Sequence, residues 1–164
     1  MSYRTGIYPG TFDPITYGHI DVIKRATALF SRVIVLVAHN TTKTPLFTTE
    51  ERITMISDIF RKNRRVTVDS FDRLLVDYAQ KKNASVIIRG LRAVSDFEYE
   101  FQMALTNRKM NQAIDTVFLM PDERYTYLNS TIVREIARVG GDVQSFVPPL
   151  VRKRLMQKMK KSKN

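Results

Sequence analysis

Hydrophobic positions along this chain fall into two kinds of run: short unbroken stretches, and longer stretches with a repeat of three to four residues. The two kinds alternate. Val33-Ile34-Val35-Leu36-Val37 is the clearest short run. It is rich in β-branched residues and too short for a typical helix, so Arg32–Ala38 is predicted to be a central parallel strand covered on both faces. Thr5–Tyr8, Val66–Val68, Val86–Ile88 ending at Arg89, and Thr116–Met120 predict four more strands, with Pro9-Gly10 closing the first and Pro121 the last. Helical spacing fills the intervals. Ile20, Ile23, Thr27 and Phe30 follow His19, and Ile53, Ile56, Ile59 and Phe60 follow a Thr48–Glu51 capping box. Leu74 to Lys82 forms a third helix. Phe97, Phe101, Ala104, Leu105 and Arg108 follow a Ser95–Glu98 box, and most of that helix is expected in the core. Ile132, Val133, Ile136 and Val139 belong to a helix capped by Asn129 or Ser130 and stopped by Gly140-Gly141. Val151, Leu155 and Met159 space a final helix opened by Pro148-Pro149.

Strands alternating with helices predict an α/β fold: a single Rossmann-like doubly wound domain over residues 1–164, with a mainly parallel five-stranded sheet and a C-terminal helix. Ligands of such sheets gather at the carboxyl ends of the strands, where Tyr8, Ala38, Ser70 and Arg89 are expected. A length of 164 residues at 43% hydrophobic content suits one core. The longest apolar run, Val33 to Ala38, is far too short to span a bilayer. A soluble, cytoplasmic protein is expected. Without cysteine there is no disulfide or thiolate metal site, and His19 and His39 alone make no multi-histidine zinc site.

The formal charge of +11 is unevenly spread. Seven of the last thirteen residues are Lys or Arg with no acid among them, and the remaining 20 basic and 16 acidic side chains leave +4. The excess is therefore a carboxyl-terminal appendage, expected to fray from about residue 158, and nucleic acid is not the expected partner. The body of the chain suits anionic metabolites.

The densest chemistry lies in Ile7 to His19. Gly10 allows close approach to a ligand or a positive φ, Asp13-Pro14 favours a turn, and Gly18-His19 stands at a helix entrance, where free N–H groups and the helix dipole attract phosphate. Arg89 and Arg92 flank Gly90 directly after a buried strand, a pattern suited to chelating phosphate oxygens. Lys43 sits in a polar loop, residues 39–45, at another strand's carboxyl end.

Thr16-Tyr17-Gly18-His19, behind Gly10-Thr11-Phe12-Asp13, resembles the (His/Thr)-x-Gly-His signature of the nucleotidylyltransferase superfamily. Within it, Tyr8 to His19 and the segment Ile88 to Glu100 are similar to two signatures of the phosphopantetheine adenylyltransferases. Ser130, Thr131 and Arg134 resemble the superfamily's third motif, Ile-Ser-Ser-(Ser/Thr)-x-x-(Arg/Lys), from which Leu128 and Asn129 depart. The resemblance spans Thr5 to about Leu155. It implies transfer of AMP from ATP to 4'-phosphopantetheine, giving dephospho-coenzyme A and pyrophosphate in coenzyme A biosynthesis. It also implies Mg2+ held through substrate phosphates with no protein metal ligands, a homohexamer, and coenzyme A as a feedback ligand.

Carried over residue by residue, the resemblance makes His19 a transition-state stabiliser and adds Lys43 and Arg92 as catalytic groups. Thr11, Lys43, Leu75 and Arg89 would meet the acceptor. Thr11, Phe12, His19, Gly90, Leu91, Arg92 and Glu100 would meet ATP, joined by Tyr125, Thr126, Tyr127, Leu128, Asn129, Ser130 and Thr131. Three other readings are open: a nucleotidylyltransferase for a different acceptor, a nucleic-acid-binding module working through the basic tail, and a nucleotide-binding regulator without turnover.

Overall fold

The structure is a computed structural model that describes residues 5–39 and 44–161. Strands β1 (Thr5–Gly10), β2 (Arg32–Ala38), β3 (Val66–Phe71), β4 (Val86–Gly90) and β5 (Asp115–Leu119) form a wholly parallel sheet in the order β3-β2-β1-β4-β5. The helices are α1 (Tyr17–Leu29), α2 (Thr49–Phe60), α3 (Leu75–Lys81), α4 (Val94–Met110), α5 (Ser130–Arg138) and α6 (Pro149–Lys161). The Rossmann-like α/β expectation holds, with every strand parallel.

Strand side chains alternate between two apolar layers. Tyr8, Val33, Val35, Val37, Val86 and Ile88 pack with residues of α1, α2, α5 and α6, while Ile7, Ile34, Leu36 and Ile87 pack with Val76, Tyr78 and Ala79 of α3. Both faces of β1, β2 and β4 are covered, so their sequences carry no polar alternation. From β1 the chain builds outward through β2 to β3, then returns to β4 on the other side. The winding therefore reverses between β1 and β4, and a crevice opens there at the carboxyl ends of the strands.

Several elements differ from the sequence pattern. β1 continues through Pro9 to Gly10 because it stays in register with β2 as far as Gly10 and Val37, and the Arg89 guanidinium bonds the Pro9 carbonyl beyond the short β1–β4 ladder. Of the two roles open to Gly10, positive φ is not the one it takes, and falls on Phe12 at 49°. Gly10 is needed for space, since a Cβ there would lie 2.8 Å from the Phe12 ring. The Ser95–Glu98 capping box is not the entrance to α4. Ala93 is the N-cap without a side-chain bond, and Arg92 reaches Asp96 across the first turn.

The core face expected on α4 is also overturned. Phe97, Phe101 and Leu105 are 45%, 47% and 50% exposed, while Glu100 and Asn107 are buried. Glu100 points inward because Arg89 of β4 binds it, and Ala104 and Asn107, at helical spacing from it, follow it onto the inner side. At α5 the choice of cap falls on Asn129, whose Oδ1 accepts the Ile132 N–H at 2.9 Å. The last helix stays helical to Lys161, past the expected fraying point. Its cations are partly neutralised, Arg152 by Asp142, Arg154 by Asp58 and Lys158 by Glu51.

Candidate active site

The crevice holds a cavity of about 480 Å³. Its floor is the end of β1, Tyr8 to Phe12. One wall is the entrance of α1 with Gly18, His19 and Val22, and the opposite wall is Arg89, Gly90, Arg92, Asp96, Tyr99 and Glu100. Pro121, Tyr125, Leu128, Asn129 and Ser130 close the third side. A second cavity of about 250 Å³ adjoins it and shares Pro9, Arg89, Tyr99 and Glu100 as a common wall. Leu36, Ala38, Phe71, Leu75, Met103 and Ala104 make this second space largely apolar.

The β1–α1 turn is braced from behind. Asp13 accepts the backbone N–H groups of Leu46 and Phe47 at 2.8 and 2.9 Å, tying the turn to the segment ahead of α2. Ser130 Oγ donates to the Pro14 carbonyl at 2.7 Å, and Arg134 donates to the Asp13 carbonyl, so the third motif grips the first. Arg52, only 2% exposed, spends most of its guanidinium on backbone: Nη1 donates to Thr11 O at 2.8 Å and to Ala38 O at 3.2 Å, Nε donates to Thr48 O, and Nη2 donates to Thr49 Oγ1 at 3.1 Å. It thereby joins the ends of β1 and β2 at the site. Sequence reasoning missed Arg52, because an arginine in a helical run reads as a solvated residue.

His19 is held by a capping box. The Thr16 backbone N–H donates to His19 Nδ1 at 3.1 Å, and the His19 N–H donates back to Thr16 Oγ1 at 3.4 Å. An Nδ1 that accepts is unprotonated, so in the neutral ring the proton sits on Nε2, the nitrogen left for a ligand. Burial, with Arg92 and Arg89 adding their positive charge, lowers the imidazole pKa to about 4. At neutral pH the free site therefore presents an uncharged N–H donor. Phe12 packs edge-on against this ring, with centroids 5.1 Å apart.

Both arginines of the Arg89-Gly90-Leu91-Arg92 run are matched by acids. Arg89 Nε and Nη2 donate to Glu100 at 2.7 and 2.5 Å, and Nη1 donates to Pro9 O at 2.8 Å. Burial opposes the Arg89 charge, but the ion pair outweighs it and holds the pKa above the ordinary arginine value. Arg92 Nε donates to Asp96 at 3.1 Å, and Nη1 donates to Leu128 O at 3.3 Å. These two pairs cancel in charge. In the larger cavity helix amino ends add attraction for an anion, since Gly18 and His19 of α1 and Ser130 of α5 all line it, while Arg73 brings a further cation to the second cavity.

Of the residues singled out from the sequence, Thr11, Phe12, His19, Arg89, Gly90, Arg92, Glu100, Tyr125, Leu128, Asn129 and Ser130 line the larger cavity. Leu75 lines the second. Leu91, Thr126, Tyr127 and Thr131 line neither. The Leu91 N–H bonds Leu119 O, Thr126 Oγ1 bonds Glu123 O, Tyr127 packs on Phe146, and Thr131 Oγ1 accepts from Arg134. Lys43 lies outside the described residues. Tyr8 lines it too, at the strand edge where it was expected, and Val22, Asp96, Tyr99 and Pro121 join the lining without having been singled out for it; Asp96 and Tyr99 fall inside the Ile88 to Glu100 segment, which was their available signal.

A crevice at the winding reversal, lined by two helix amino ends and a histidine donor, with paired guanidinium groups across from the histidine, is the arrangement of a nucleotidyl-transferring enzyme. The sequence model described as cytidylyltransferase-like matches residues 7–136, and the chain belongs to that family. Its fold is similar to that of a Plasmodium falciparum nicotinic acid mononucleotide adenylyltransferase complexed with NaAD, at a TM-score of 0.67 and 15% identity over 97% of this chain and 95% of that one. Within the class the chain belongs to the phosphopantetheine adenylyltransferases. It is 56% identical to the enzyme of that name from Caldanaerobacter subterraneus subsp. tengcongensis over 97% of this chain and 99% of the relative. It is 54% identical to that of Alkaliphilus metalliredigens over 94% and 99%.

Proposed function

We infer that the chain transfers AMP from ATP to 4'-phosphopantetheine, giving dephospho-coenzyme A and pyrophosphate. The observation that carries this reading is the pair of adjoining cavities. The polar one, with its helix ends, suits a nucleoside triphosphate, and the apolar one suits a pantetheine arm whose phosphate reaches the shared wall at Arg89. An oxygen of the acceptor phosphate attacks the α-phosphorus of ATP in line. A new P–O bond forms as the bond to the β-phosphate bridging oxygen breaks, and the electron pair leaves with pyrophosphate. No protein nucleophile is needed, and the attacking phosphate is already ionised, so no general base is needed either.

The work of the protein is alignment and electrostatics. His19 Nε2–H donates to a phosphate oxygen whose charge grows in the transition state. Arg92 binds the triphosphate, and Arg89 and Lys43 bind the acceptor phosphate. Thr11 lies between the two substrates, and Leu75 meets the arm. ATP phosphates compete with Asp96 for Arg92, and the acceptor shares Arg89 with Glu100. Tyr125 to Thr131 would wrap the nucleotide, which for Thr126, Tyr127 and Thr131 requires a different arrangement from the one described above.

Mg2+ is proposed as a cofactor carried on ATP. On ATP the ion would be bound through phosphate oxygens, the ligands Mg2+ commonly takes from a substrate. There it would neutralise charge on the triphosphate. A homohexamer is proposed as well, supported by the exposed Phe97, Phe101 and Leu105 of α4, and sedimentation would test it. Coenzyme A, which contains the same pantetheine arm, is proposed as a feedback ligand of the second cavity. A cytoplasmic location is supported by the cysteine-free composition, which suits a reducing compartment. The deciding experiment measures pyrophosphate release from ATP with 4'-phosphopantetheine, nicotinate mononucleotide and a polyol phosphate in parallel. Release with either of the latter two and not with the first would overturn the assignment.

A further inference from the structure

We propose that the Tyr8 hydroxyl is a nucleotide-binding group that donates a hydrogen bond to an oxygen of the ribose-triphosphate part of ATP. The proposal rests on the reading of the larger cavity as the ATP site. Tyr8 is 5% exposed, and its ring packs edge-on against Phe12, with centroids 5.4 Å apart and planes at 71°. The rest of the side chain is ordinary core. The hydroxyl is not.

It makes no hydrogen bond to any described residue, although a buried phenol normally finds a partner. Nor is it sealed away. The unpartnered side-chain atoms closed off from solvent among the described residues are Thr67 Oγ1 and Thr116 Oγ1, and Tyr8 Oη is not one of them. A buried side chain whose one polar atom lacks a protein partner, and which lines the cavity, directs that atom at the cavity's contents.

Gly90 keeps this approach open. A Cβ at that position would lie 3.4 Å from the Tyr8 hydroxyl and 3.4 Å from Val22, so a side chain extending further would fill the space over the hydroxyl. A ligand running along the end of β4 between Gly90 and Arg92 therefore passes within reach of it. Burial raises the phenol pKa above the usual tyrosine value, against the pull of Arg89 and Arg92, and the group stays a neutral donor at every working pH. A neutral donor at this point adds a contact to ATP without adding to the charge already balanced between the two arginines and Glu100 and Asp96.

Tyr8→Phe tests the proposal, because it removes one oxygen and keeps the ring and its contact with Phe12. Calorimetric titration with ATP is expected to show affinity about tenfold weaker, the ordinary effect of losing one hydrogen bond to a ligand. The KM for ATP should rise similarly. Affinity for 4'-phosphopantetheine should not change, and the Tm of the free protein should not fall, since no internal bond is lost. Titrations with 2'-deoxy-ATP and 3'-deoxy-ATP identify the accepting oxygen. If it is a ribose hydroxyl, the variant and the unaltered protein bind the matching deoxy analogue equally. If it is a phosphate oxygen, the tenfold deficit persists with both. Unchanged ATP affinity in Tyr8→Phe, or a loss confined to the acceptor, overturns the proposal. Absence of pyrophosphate release by the unaltered protein would instead count against the transfer reaction and leave the ATP comparison to be judged separately.

Discussion

His19 has two jobs in one ring, and they can be separated. Its Nδ1 accepts the Thr16 backbone N–H at 3.1 Å, and its Nε2 is the nitrogen left to face substrate. Thr16 is 1% exposed, so His19→Ala leaves its N–H buried without that acceptor, at a cost of about 1–2 kcal/mol. In a chain of this length that corresponds to a fall in Tm of roughly 2–8 °C. The same change removes a preorganised donor to a developing oxyanion, for which a loss of about 10²–10³ in kcat is expected. His19→Glu keeps an acceptor at the third helical position, where Glu completes a capping box with Thr and interacts well with the helix dipole. It restores the bond to Thr16 but offers phosphate an anion in place of a donor. Thermal melts and pyrophosphate release on both variants should then diverge: His19→Glu melts close to the unaltered protein, His19→Ala melts lower, and both lose at least about a hundredfold in turnover. Turnover that recovers with stability in His19→Glu would refute the catalytic assignment and reduce His19 to a cap.

Glu100→Gln leaves the Arg89 cation facing a neutral amide. Because the Arg89 side chain is 31% exposed, a cost of about 1–3 kcal/mol is expected, less than for a fully buried pair, seen as a lower Tm of the free protein. Added 4'-phosphopantetheine should recover more stability in this variant than in the unaltered protein, and equal recovery in the two would argue that Arg89 does not meet the acceptor. Arg52→Met strips the Thr11 and Ala38 carbonyls of a buried donor, so a loss of about 1–3 kcal/mol is expected, together with a lower kcat in the fraction that remains folded. Stability loss with unchanged kcat would limit Arg52 to scaffolding. By NMR, the His19 ring should stay unprotonated down to about pH 4 in the free protein, against an ordinary 6.5. The unfolded chain takes up this proton first, so His19 subtracts stability as pH falls from about 6.5 to about 4. Bound ATP should raise the pKa, and titration near 6.5 in the free protein would contradict the half-buried, cation-flanked environment.

The order of strands and helices was legible from hydrophobic periodicity because each element of a doubly covered sheet is chosen by local patterning. Val33 to Val37 is too short and too rich in β-branched residues for a typical helix, and Thr48 with Glu51 completes its capping box within four residues. The carboxyl edge of the strands as the place for ligands followed from that topology alone. The motif letters marked His19, Arg89 and Arg92 but not what each is bonded to. That Nδ1 of His19 is spent on a cap and that Asn129 and not Ser130 caps α5 are settled by local geometry within three residues, which the letters alone left open, whereas Glu100 serving Arg89 is decided between β4 and α4. The inward turn of Glu100 in particular reverses the face of α4 that apolar spacing assigns to the core. Local patterning measures how one segment divides between water and protein. Only the packed fold brings Arg89 to residue 100 and Arg52 to the carbonyls of Thr11 and Ala38, because a partner for a buried charge is a property of what lies across the gap.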